Sequence, residues 1–563
     1  MIRHAISMSV SGALSALALL MPLSANAGAL SGKVVDPTGK AIEGAIVTAT
    51  DGRGVGVSVY TDRQGAFRLD TRLKGELDLR VRKRYHRDDL RKIRLDAPAT
   101  SLQVKLAPLT DPKEVSDDHP ALSHFSRIAF DASPNDPFSR EQFGRDCLSC
   151  HQLGNASTRP PRSVEGWVPS VQRMHGYLMN TDAAMIKTRA ERLAKAFDGT
   201  PVNSRPVEPI DPLLQNAKIY QWRLNGANVP HDAAVHRGSN KLYSVDMFAG
   251  TVIETDPKTG NSKTYEQPAQ GMPPGGAFTK MGAPAPYGLT VPRASHSLAE
   301  GKDGKFYLAD SIGGSLGVFD PKTKKFEHYE VGNGAVYPHT VRVDKAGIVW
   351  MNVAFSDQIV RFDPKTKAMK VIKLPASKGL GMSCCAVTYG LDVDPVDGSI
   401  WYTKLYADKF GRVDPKTFEV REYDSPVIGP RRIRFDAKGA LWVAFTSGSI
   451  GKVDVRNWAV KVYQLPTFAP GEIPVPYAVG VHPKTQEVWV NDTMSDVAWR
   501  FLPDEERFVA YPMPLHGTYT RDFDFTREGW ACTSNNPIPP GALEGGVPEV
   551  VCIDAGRRPG RKG

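Results

Sequence analysis

After residue 27 the sequence has no unbroken apolar run of about 18 residues, the length that indicates a membrane-spanning helix. We therefore expect no integral membrane segment in the mature chain. The sequence also has no stretch in which basic and aromatic residues cluster, which argues against nucleic-acid binding. Cysteine is scarce, with six residues among 563, and two of the six belong to the motif that carries the clearest chemical signal.

The N-terminus is typical of a secretory signal peptide. Arg3 and His4 precede an apolar run at 13–23, and a small-x-small cleavage sequence ends at Ala27. We predict a signal peptide at 1–27 and export of the mature protein to a bacterial periplasm. An uncleaved anchor is the alternative.

Residues 147–151 read C-x-x-C-H, the attachment motif of a c-type haem. Thiols about one helical turn apart can each form a thioether with a haem vinyl group, and the following histidine then binds the iron. Because this haem is attached outside the bacterial cytoplasm, the predicted export favours it over a redox dithiol or half of a zinc site. We predict covalent haem c held by Cys147 and Cys150, with His151 as the proximal iron ligand.

A small α-helical haem c segment is predicted at 120–215. The residues at 141–146 predict a helix that leads into the motif, and further helices are expected at 162–174 and 181–197.

The second of these helices suggests the sixth iron ligand. Trp167, Val171 and Met174 recur at i, i+4 and i+7 on one face. This W-x-x-x-V-x-R-M phrase resembles haem domains attached to periplasmic quinohaemoprotein dehydrogenases, which implies that Met174 binds the iron. Met179 and His175 are the second and third choices, and Met174 as a core residue is the alternative.

Residues 28–108 consist of short strand-like runs separated by turns. They contain G-x-V-x-D at 32–36, GA-x-V at 44–47 and T-D-x-x-G-x-F at 61–67. This pattern resembles the carboxypeptidase regulatory-like domain, which implies a β-sandwich that serves as a spacer or contact module. The basic run at 80–87 is interpreted as a solvated strand end and turn.

From residue 217 the sequence repeats with a period of about forty residues. Each unit has an aromatic-led second strand, and a D-P-K-T turn follows at 256–259, 320–323, 363–366 and 414–417. Four short strands in each unit are typical of a propeller blade. The predicted fold is therefore mainly β, with a seven-bladed β-propeller at 217–556 whose last blade is completed by the strand at 218–224.

Aligning the units places a bulky polar residue just before each innermost strand. Equivalent positions in successive blades come round the axis, so these side chains should ring one end of the central channel. Such a ring could hold a second metal, an organic substrate or water alone. The candidates are His231, His296, His339, Tyr389, Arg431, Tyr477 and Arg521.

A second, patchier column lies three residues past each aromatic and contains Asp246, Asp310, Lys404 and Asp492. This column is compatible with a second set of functional residues or with polar side chains that only solvate the strand ends.

The remaining cysteines form two pairs. Cys532 and Cys552 flank a turn between strand-like runs, so we predict a disulfide in the oxidising periplasm. Cys384 and Cys385 are adjacent, and a strained vicinal disulfide or two thiols are both compatible with this spacing.

The propeller repeats resemble the streptogramin (virginiamycin B) lyase-like family across 217–556. Antibiotic lyases of that family open a lactone with histidine, glutamate and magnesium, but the blade around Tyr477 has no corresponding His-Glu-His arrangement. The repeats also lack the tryptophan-docking phrases of quinone-cofactor propellers, which disfavours a pyrroloquinoline cofactor.

The first hypothesis is a periplasmic haem c redox protein. It would transfer electrons to a periplasmic partner and bind or oxidise a small substrate at the channel. A formal net charge of +10 suits an acidic redox partner, an anionic substrate or an envelope surface. The second hypothesis is a lyase or hydrolase with accessory haem, and the third is a non-catalytic binding or scaffold protein.

Overall fold

A computed structural model describes residues 28–95, 99–130, 138–177, 182–332, 334–377, 386–539 and 541–558. The predicted signal peptide, Met179 and the pair Cys384 and Cys385 lie outside the described residues. Within the described ranges, no helix combines the length and the apolar character that crossing a membrane requires.

The first seven strands form two facing sheets. The sheets have the orders β4-β1-β7 and β3-β2-β5-β6, and Leu30, Val47, Leu69 and Leu79 are buried in one core between them. This part is the expected N-terminal β domain. Its strands are β1 (Gly28–Val35), β2 (Ile46–Thr50), β3 (Val55–Tyr60), β4 (Ala66–Thr71), β5 (Gly75–Arg82), β6 (Asp89–Leu95) and β7 (Ala99–Lys105).

Helices dominate the next part of the chain. They are α1 (Pro112–Asp117), α2 (Ala121–Phe125), α3 (Arg140–Cys147), α4 (Val164–Tyr177) and α5 (Ala183–Ala196), followed by a 3₁₀ turn at Pro212–Asn216. The Ser139 side chain accepts a hydrogen bond from the Gln142 backbone N–H and so caps α3. Helix α3 ends at Cys147, so the rest of the C-x-x-C-H motif lies in a bend rather than along a helical turn.

The rest of the chain is built of short strands. They are β8 (Lys218–Arg223), β9 (Pro230–Val235), β10 (Leu242–Asp246), β11 (Thr251–Thr255), β12 (Ser262–Glu266), β13 (Ser295–Glu300), β14 (Phe306–Asp310), β15 (Ser315–Asp320), β16 (Lys325–Glu330), β17 (Pro338–Val343), β18 (Val349–Val353), β19 (Gln358–Asp363), β20 (Ala368–Lys373), β21 (Thr388–Val393), β22 (Ile400–Lys404), β23 (Lys409–Val413), β24 (Val420–Asp424), β25 (Pro430–Phe435), β26 (Ala440–Phe445), β27 (Ser449–Asp454), β28 (Ala459–Gln464), β29 (Pro476–Val481), β30 (Val488–Asp492), β31 (Val497–Leu502), β32 (Arg507–Pro512), β33 (Asp524–Phe525), β34 (Ala531–Asn535) and β35 (Glu549–Asp554). A short helix, α6 (Gly276–Lys280), and a turn at Pro286–Gly288 lie between β12 and β13.

Strands β9 to β32 form six four-stranded antiparallel sheets, as expected for a propeller. The first strands of consecutive sheets pack together in the order β9, β13, β17, β21, β25, β29, and β34 packs against β9. Gly480 in β29 lies against Phe523, just before β33, because a Cβ there would meet the Phe523 side chain at 2.7 Å. The first strands thus surround a common axis.

Strand β8 pairs with β35, as the sequence predicts for the last blade. The other edge of β8 pairs with β3 of the N-terminal domain, with Val55 opposite Trp222 and Ser58 opposite Ile219. One eight-stranded sheet therefore runs through both parts in the order β33-β34-β35-β8-β3-β2-β5-β6. This pairing protects an edge of each part and fixes their relative orientation.

The basic run at 80–87 is not simply solvated, which corrects its interpretation from sequence. Arg80 and Arg82 form ion pairs with Asp88 and with Glu544 near the C-terminus. Arg82 is 11% exposed at its side chain, so this network is an interface between the N-terminal domain and the propeller.

The predicted disulfide is present. Cys532 and Cys552 are bonded and lie directly opposite one another on β34 and β35. The D-P-K-T phrases form turns, because Asp256 accepts hydrogen bonds from the backbone N–H groups of Lys258 and Thr259.

Candidate functional site

Six of the seven predicted ring residues occupy the second position of a first strand. Four of these strands begin with proline, at Pro230, Pro338, Pro430 and Pro476. Proline suits the first residue of a strand because it has no N–H to contribute to the ladder. The seventh residue, Arg521, comes just before β33.

Each of these six strands also bulges at the ring residue. Between Pro430 and Ile433, for example, two residues face a single residue of β26, and the register shifts likewise in the other five sheets. Side chains of the preceding sheet stabilise some of the bulges, as when the Thr403 hydroxyl on β22 donates to the Arg431 carbonyl at 2.7 Å. A bulge re-aims side chains, so adjacent residues can both face the axis.

The structure brings the seven predicted residues together, and all are buried. The rings of His231 and His296 lie 3.6 Å apart, those of His296 and His339 lie 3.9 Å apart, and His339 and Tyr389 follow at 4.3 Å. On the other side the guanidinium groups of Arg431 and Arg521 stack on the ring of Tyr477 at 4.3 and 5.1 Å. We call these seven residues the mouth ring.

The three histidines of the mouth ring are uncharged at neutral pH. Burial, reinforced by the nearby charge of Arg521, lowers the pKa of His231 to about 3. Burial also lowers the pKa of His296 and His339 well below the ordinary value. The Nδ1 atoms of His296 and His339 each lie 3.1 Å from a backbone carbonyl, so each Nδ1 carries the proton and donates it.

His231, Asp232 and His296 form a group whose potential ligand atoms lie within 4.8 Å of one another. Imidazoles that bind one metal ion at a metal–nitrogen distance of about 2.0–2.1 Å point toward the ion from separate directions. The rings of His231 and His296 are instead tilted against each other at 41°, with their centroids only 3.6 Å apart. A shared metal would require the two rings to separate.

A second layer below the mouth ring was missed by the sequence reasoning. Arg432 forms ion pairs with Asp232 at 2.8 Å and Asp522 at 3.0 Å, and all three are buried. Each of them directly follows a mouth-ring residue, a position that simple strand alternation turns away from the axis. The doublets His-Asp, Arg-Arg and Arg-Asp in the sequence were the available signal.

The column of Asp246, Asp310, Lys404 and Asp492 has a structural role. Asp246 accepts hydrogen bonds from four backbone N–H groups of the loops beside it, and Asp310 and Asp492 bind loop N–H groups in the same way. Lys404 pairs with Glu422 at 2.9 Å. These residues hold the loops at the strand ends.

The C-x-x-C-H motif lies directly on the mouth ring. Arg521 donates a hydrogen bond to the Cys150 carbonyl at 2.9 Å, and the hydroxyl of neighbouring Tyr519 donates to the Leu148 carbonyl at 2.7 Å. The Gln152 side chain donates to the Thr518 carbonyl at 2.9 Å. We call residues 147–152 the attachment loop.

Cys150 lines the same cavity as five of the seven mouth-ring residues. The cavity has a volume of about 60 Å³, and its lining includes Cys150, His296, His339, Tyr389 and Arg521. This volume holds a few water molecules and is smaller than the sites that normally enclose an organic cofactor. The hydroxyl of Tyr287 lies 2.8 Å from the Cys150 sulfur, so a thioether at this sulfur would take the place of that contact.

The donor set of the attachment loop fits a c-type haem. Cys147 and Cys150 are both free of disulfides. His151 Nδ1 lies 2.7 Å from the Gln152 carbonyl, so as a donor to that oxygen it leaves Nε2 free to bind iron. Burial lowers the pKa of His151 below its ordinary value, which keeps the ring neutral as an iron ligand must be.

The two sixth-ligand candidates on α4 differ in burial. The helix buries Trp167, Val171 and His175, whereas Met174 is half-buried. His175 Nε2 lies 2.9 Å from the guanidinium of Arg189, so this imidazole is already engaged. Met174 therefore stays a prediction, and Met179 lies outside the described residues.

Two family models match parts of the chain. Residues 29–107 match the Carboxypeptidase regulatory-like domain, and residues 285–520 match the Virginiamycin B lyase family. No curated protein matches the chain.

Solved structures similar to this chain include a streptogramin B lyase, at 17% identity and a TM-score of 0.49, which covers 61% of this chain and 100% of its own. Another is a catalytically inactive histidine variant of virginiamycin B lyase from Staphylococcus aureus with quinupristin, at 16% identity and a TM-score of 0.47, covering 60% and 99%. A third is the extracellular domain of a putative hybrid two component system from B. thetaiotaomicron, at 14% identity and a TM-score of 0.43, covering 63% and 43%. The N-terminal β domain thus matches the carboxypeptidase regulatory-like model and part of the propeller matches the virginiamycin B lyase model, and the C-x-x-C-H motif lies between the two matched ranges.

Proposed function

We propose that this chain is a periplasmic c-type haem redox protein in which haem and propeller channel form one site. The six four-stranded sheets and the group β33, β34, β35 and β8 would be seven blades closed by β8. The haem would be attached at Cys147 and Cys150, with His151 as the proximal ligand and Met174 as the first choice for the sixth. A small substrate would bind at the mouth ring.

One observation carries this proposal: the attachment loop and the mouth ring share a cavity. The sulfur of Cys150 borders that cavity together with His296, His339 and Arg521. The hydrogen bonds from Arg521 and Tyr519 to the loop carbonyls fix the loop there. An attached group would therefore lie within short range of anything bound by the ring.

When bound, a haem supplies one-electron oxidation and reduction. The chain supplies the setting for that chemistry. Gln152 orients the His151 ring through its carbonyl, and its own side chain ties the loop to Thr518. The neutral Nε2 atoms of His296 and His339 can accept a hydrogen bond from a substrate, because their Nδ1 atoms already donate to carbonyls.

Cys147 indicates when attachment would occur. Burial raises the pKa of its thiol to about 12, although the charge of Arg189 opposes this effect. A protonated, half-buried thiol is a poor nucleophile. We therefore propose that the haem is attached before the chain closes over Cys147.

The test is to express the full chain with its N-terminal segment in a bacterium that attaches haem c, and to purify it from the periplasm. We expect a coloured protein with one iron per chain and the absorption spectrum of a c-type haem in the reduced state. Met174→Ala should remove the absorption band typical of methionine-bound ferric haem. Titration with small candidate reductants should reduce the haem, and His339→Ala should slow that reduction without removing the colour.

A colourless protein with free Cys147 and Cys150 would contradict the redox function. A second outcome is a haem that no small compound reduces, together with a His339→Ala variant that behaves like the native protein. That outcome would contradict the substrate site at the mouth ring and leave only electron transfer. A matched control is His328→Ala, because His328 lies on an outer strand, β16, away from the ring.

The family match at 285–520 favours a second candidate, a lyase or hydrolase of the virginiamycin B lyase type with accessory haem. This candidate predicts elimination activity on a cyclic ester that depends on divalent metal and survives Cys147→Ser with Cys150→Ser. Absence of turnover in both assays, with a stable complex in a pull-down, would favour a binding or scaffold role.

A further inference from the structure

The mouth ring contains two buried positive charges with no negative partner among the described residues. Arg431 and Arg521 are 1% and 2% exposed. The hydrogen-bond partners of Arg431 are the Tyr389 hydroxyl at 3.4 Å and the Ser149 carbonyl at 3.5 Å. Those of Arg521 are the Tyr477 hydroxyl at 3.1 Å and the Cys150 carbonyl at 2.9 Å. All four partner groups are neutral.

The layer below does not supply the missing charge. Arg432 of that layer pairs with Asp232 and Asp522. Two arginines beside the layer complete the network, since Arg434 pairs with Asp522 and Arg342 pairs with Asp522 and Asp392. These three arginines and three aspartates balance in charge. None of these aspartates therefore neutralises the two positive charges of the mouth ring. The three histidines of the ring are neutral and add nothing to either side of this balance.

Several donors of these arginines also lack a partner. In the described part of the chain, Arg431 Nε and Nη1 and Arg521 Nε are buried without a hydrogen bond, as are Nε and Nη2 of Arg432. An uncompensated buried ion destabilises the fold, and an unmade bond to a charged donor adds to that cost. A group that receives these donors would remove both costs.

We infer that Arg431 and Arg521 bind a carboxylate at the channel mouth, next to the attachment loop. A carboxylate matches the planar, forked donors of a guanidinium and carries the charge that the ring lacks. Arg521 lines the cavity of about 60 Å³, which suits a head group of this size. The stacking of both arginines on Tyr477 holds the two guanidinium groups in place.

The carboxylate has two sources that share this chemistry. One is a propionate of a haem attached at Cys147 and Cys150, and this source rests on the proposed function. The other is a small free carboxylic acid, which does not need the haem. Both sources place the negative charge against the same two arginines.

The test measures binding to two forms of the full chain by calorimetry. One form carries haem, and the other is the haem-free variant Cys147→Ser with Cys150→Ser. The probes are acetate and benzoate, each compared with its neutral amide. We expect the haem-free form to bind the acids and not the amides, and Arg431→Gln and Arg521→Gln to weaken binding at least tenfold. Arg431→Lys, which keeps the charge, should weaken it less.

The matched control is Arg500→Gln. Arg500 is also buried, but it pairs with Glu487 at 2.6 Å outside the mouth ring. In the haem-free form without added acid, Arg500→Gln should lower the melting temperature. Arg431→Gln should leave it unchanged or raise it, because this substitution removes an uncompensated charge. Neither effect depends on haem.

Acids that bind the haem-free form and not the haem form assign the site to the propionates. Acids that bind both forms assign it to a free ligand, and each result supports the inference. Acids that bind no better than amides to either form would overturn it, as would equal binding by Arg431→Gln. A chain that cannot attach haem defeats the proposed function, yet the haem-free titration still decides the carboxylate site.

Discussion

Replacing His516 with glutamine should make the stability of this protein much less dependent on pH. His516 lies between two carboxylates, with Nε2 2.9 Å from Asp118 and Nδ1 3.5 Å from Asp496. Burial and the charge of Arg82 favour the neutral ring, but the bonds to both aspartates outweigh them and raise the pKa of His516 to about 9. Its side chain is 27% exposed.

The sign of the effect follows from proton linkage. A histidine whose folded pKa lies above its ordinary 6.5 stabilises the fold fully below pH 6.5 and loses that contribution as the pH rises through 9. The difference corresponds to about 3 kcal/mol, at about 1.4 kcal/mol for each tenfold change in proton affinity. Glutamine can keep a hydrogen bond but carries no charge.

The assay is urea unfolding of the native chain and His516→Gln at about pH 6 and about pH 9.5. We expect the native protein to lose about 3 kcal/mol more than the variant between these two conditions. The comparison cancels groups that titrate equally in both proteins. Equal pH dependence of the two proteins would refute the assignment of a protonated His516 in the folded state.

The positive charge of His516 also helps to hold the attachment loop in place, through Asp496. Asp496 accepts a second set of hydrogen bonds, from the Thr518 N–H at 2.8 Å and from the Gln152 side chain at 3.5 Å. Gln152 follows His151 in the attachment loop. A pH high enough to neutralise His516 should therefore also increase hydrogen exchange in that loop.

Three further outcomes are expected. Cys147→Ser with Cys150→Ser should give a colourless protein of native secondary structure, measured by absorption and circular dichroism. Tyr519→Phe should cost about 1 kcal/mol, since it removes a hydroxyl bond at 2.7 Å to the attachment loop, and should speed hydrogen exchange there. Cys532→Ala with Cys552→Ala should lower the free energy of unfolding by about 3 kcal/mol, because the bond closes a loop with a sequence separation of 20.

Each of these outcomes has a control. Tyr463→Phe changes a tyrosine of the outer strand β28 and should leave exchange in the attachment loop unaltered. Retained colour in the double serine variant would show that another residue holds the chromophore. Unchanged stability without the disulfide would mean that the pairing of β34 with β35 and β8 holds the last sheet by itself.

The mouth ring could be identified from sequence because the repeat is regular. A constant period places equivalent residues at equivalent heights around the axis, so His231, His339 and Arg431 needed no structural information to be grouped. The second layer could not be found in this way. Asp232 and Arg432 face the axis because the strands bulge, and alternation along an ordinary strand predicts the opposite.

The sixth-ligand face shows a similar limit. Spacing alone placed Trp167, Val171 and Met174 on one side of α4, and the structure buries His175 in preference to Met174. Helical spacing predicts which face of a helix is apolar, but it does not decide which of two adjacent residues at the edge of that face is buried. The contact with Arg189 on α5 decides which side chain turns inward.

Local and periodic features could be predicted from the amino-acid order alone: the C-x-x-C-H motif, the mainly β class, the blade-like repeat and the Cys532–Cys552 bond. These follow from short spacings and from one repeated pattern. Two features became visible in the folded chain: β3 continues the last sheet, and the attachment loop is hydrogen-bonded to Tyr519 and Arg521. Those contacts join residues far apart in the chain, and neither partner carries a local signal of the other.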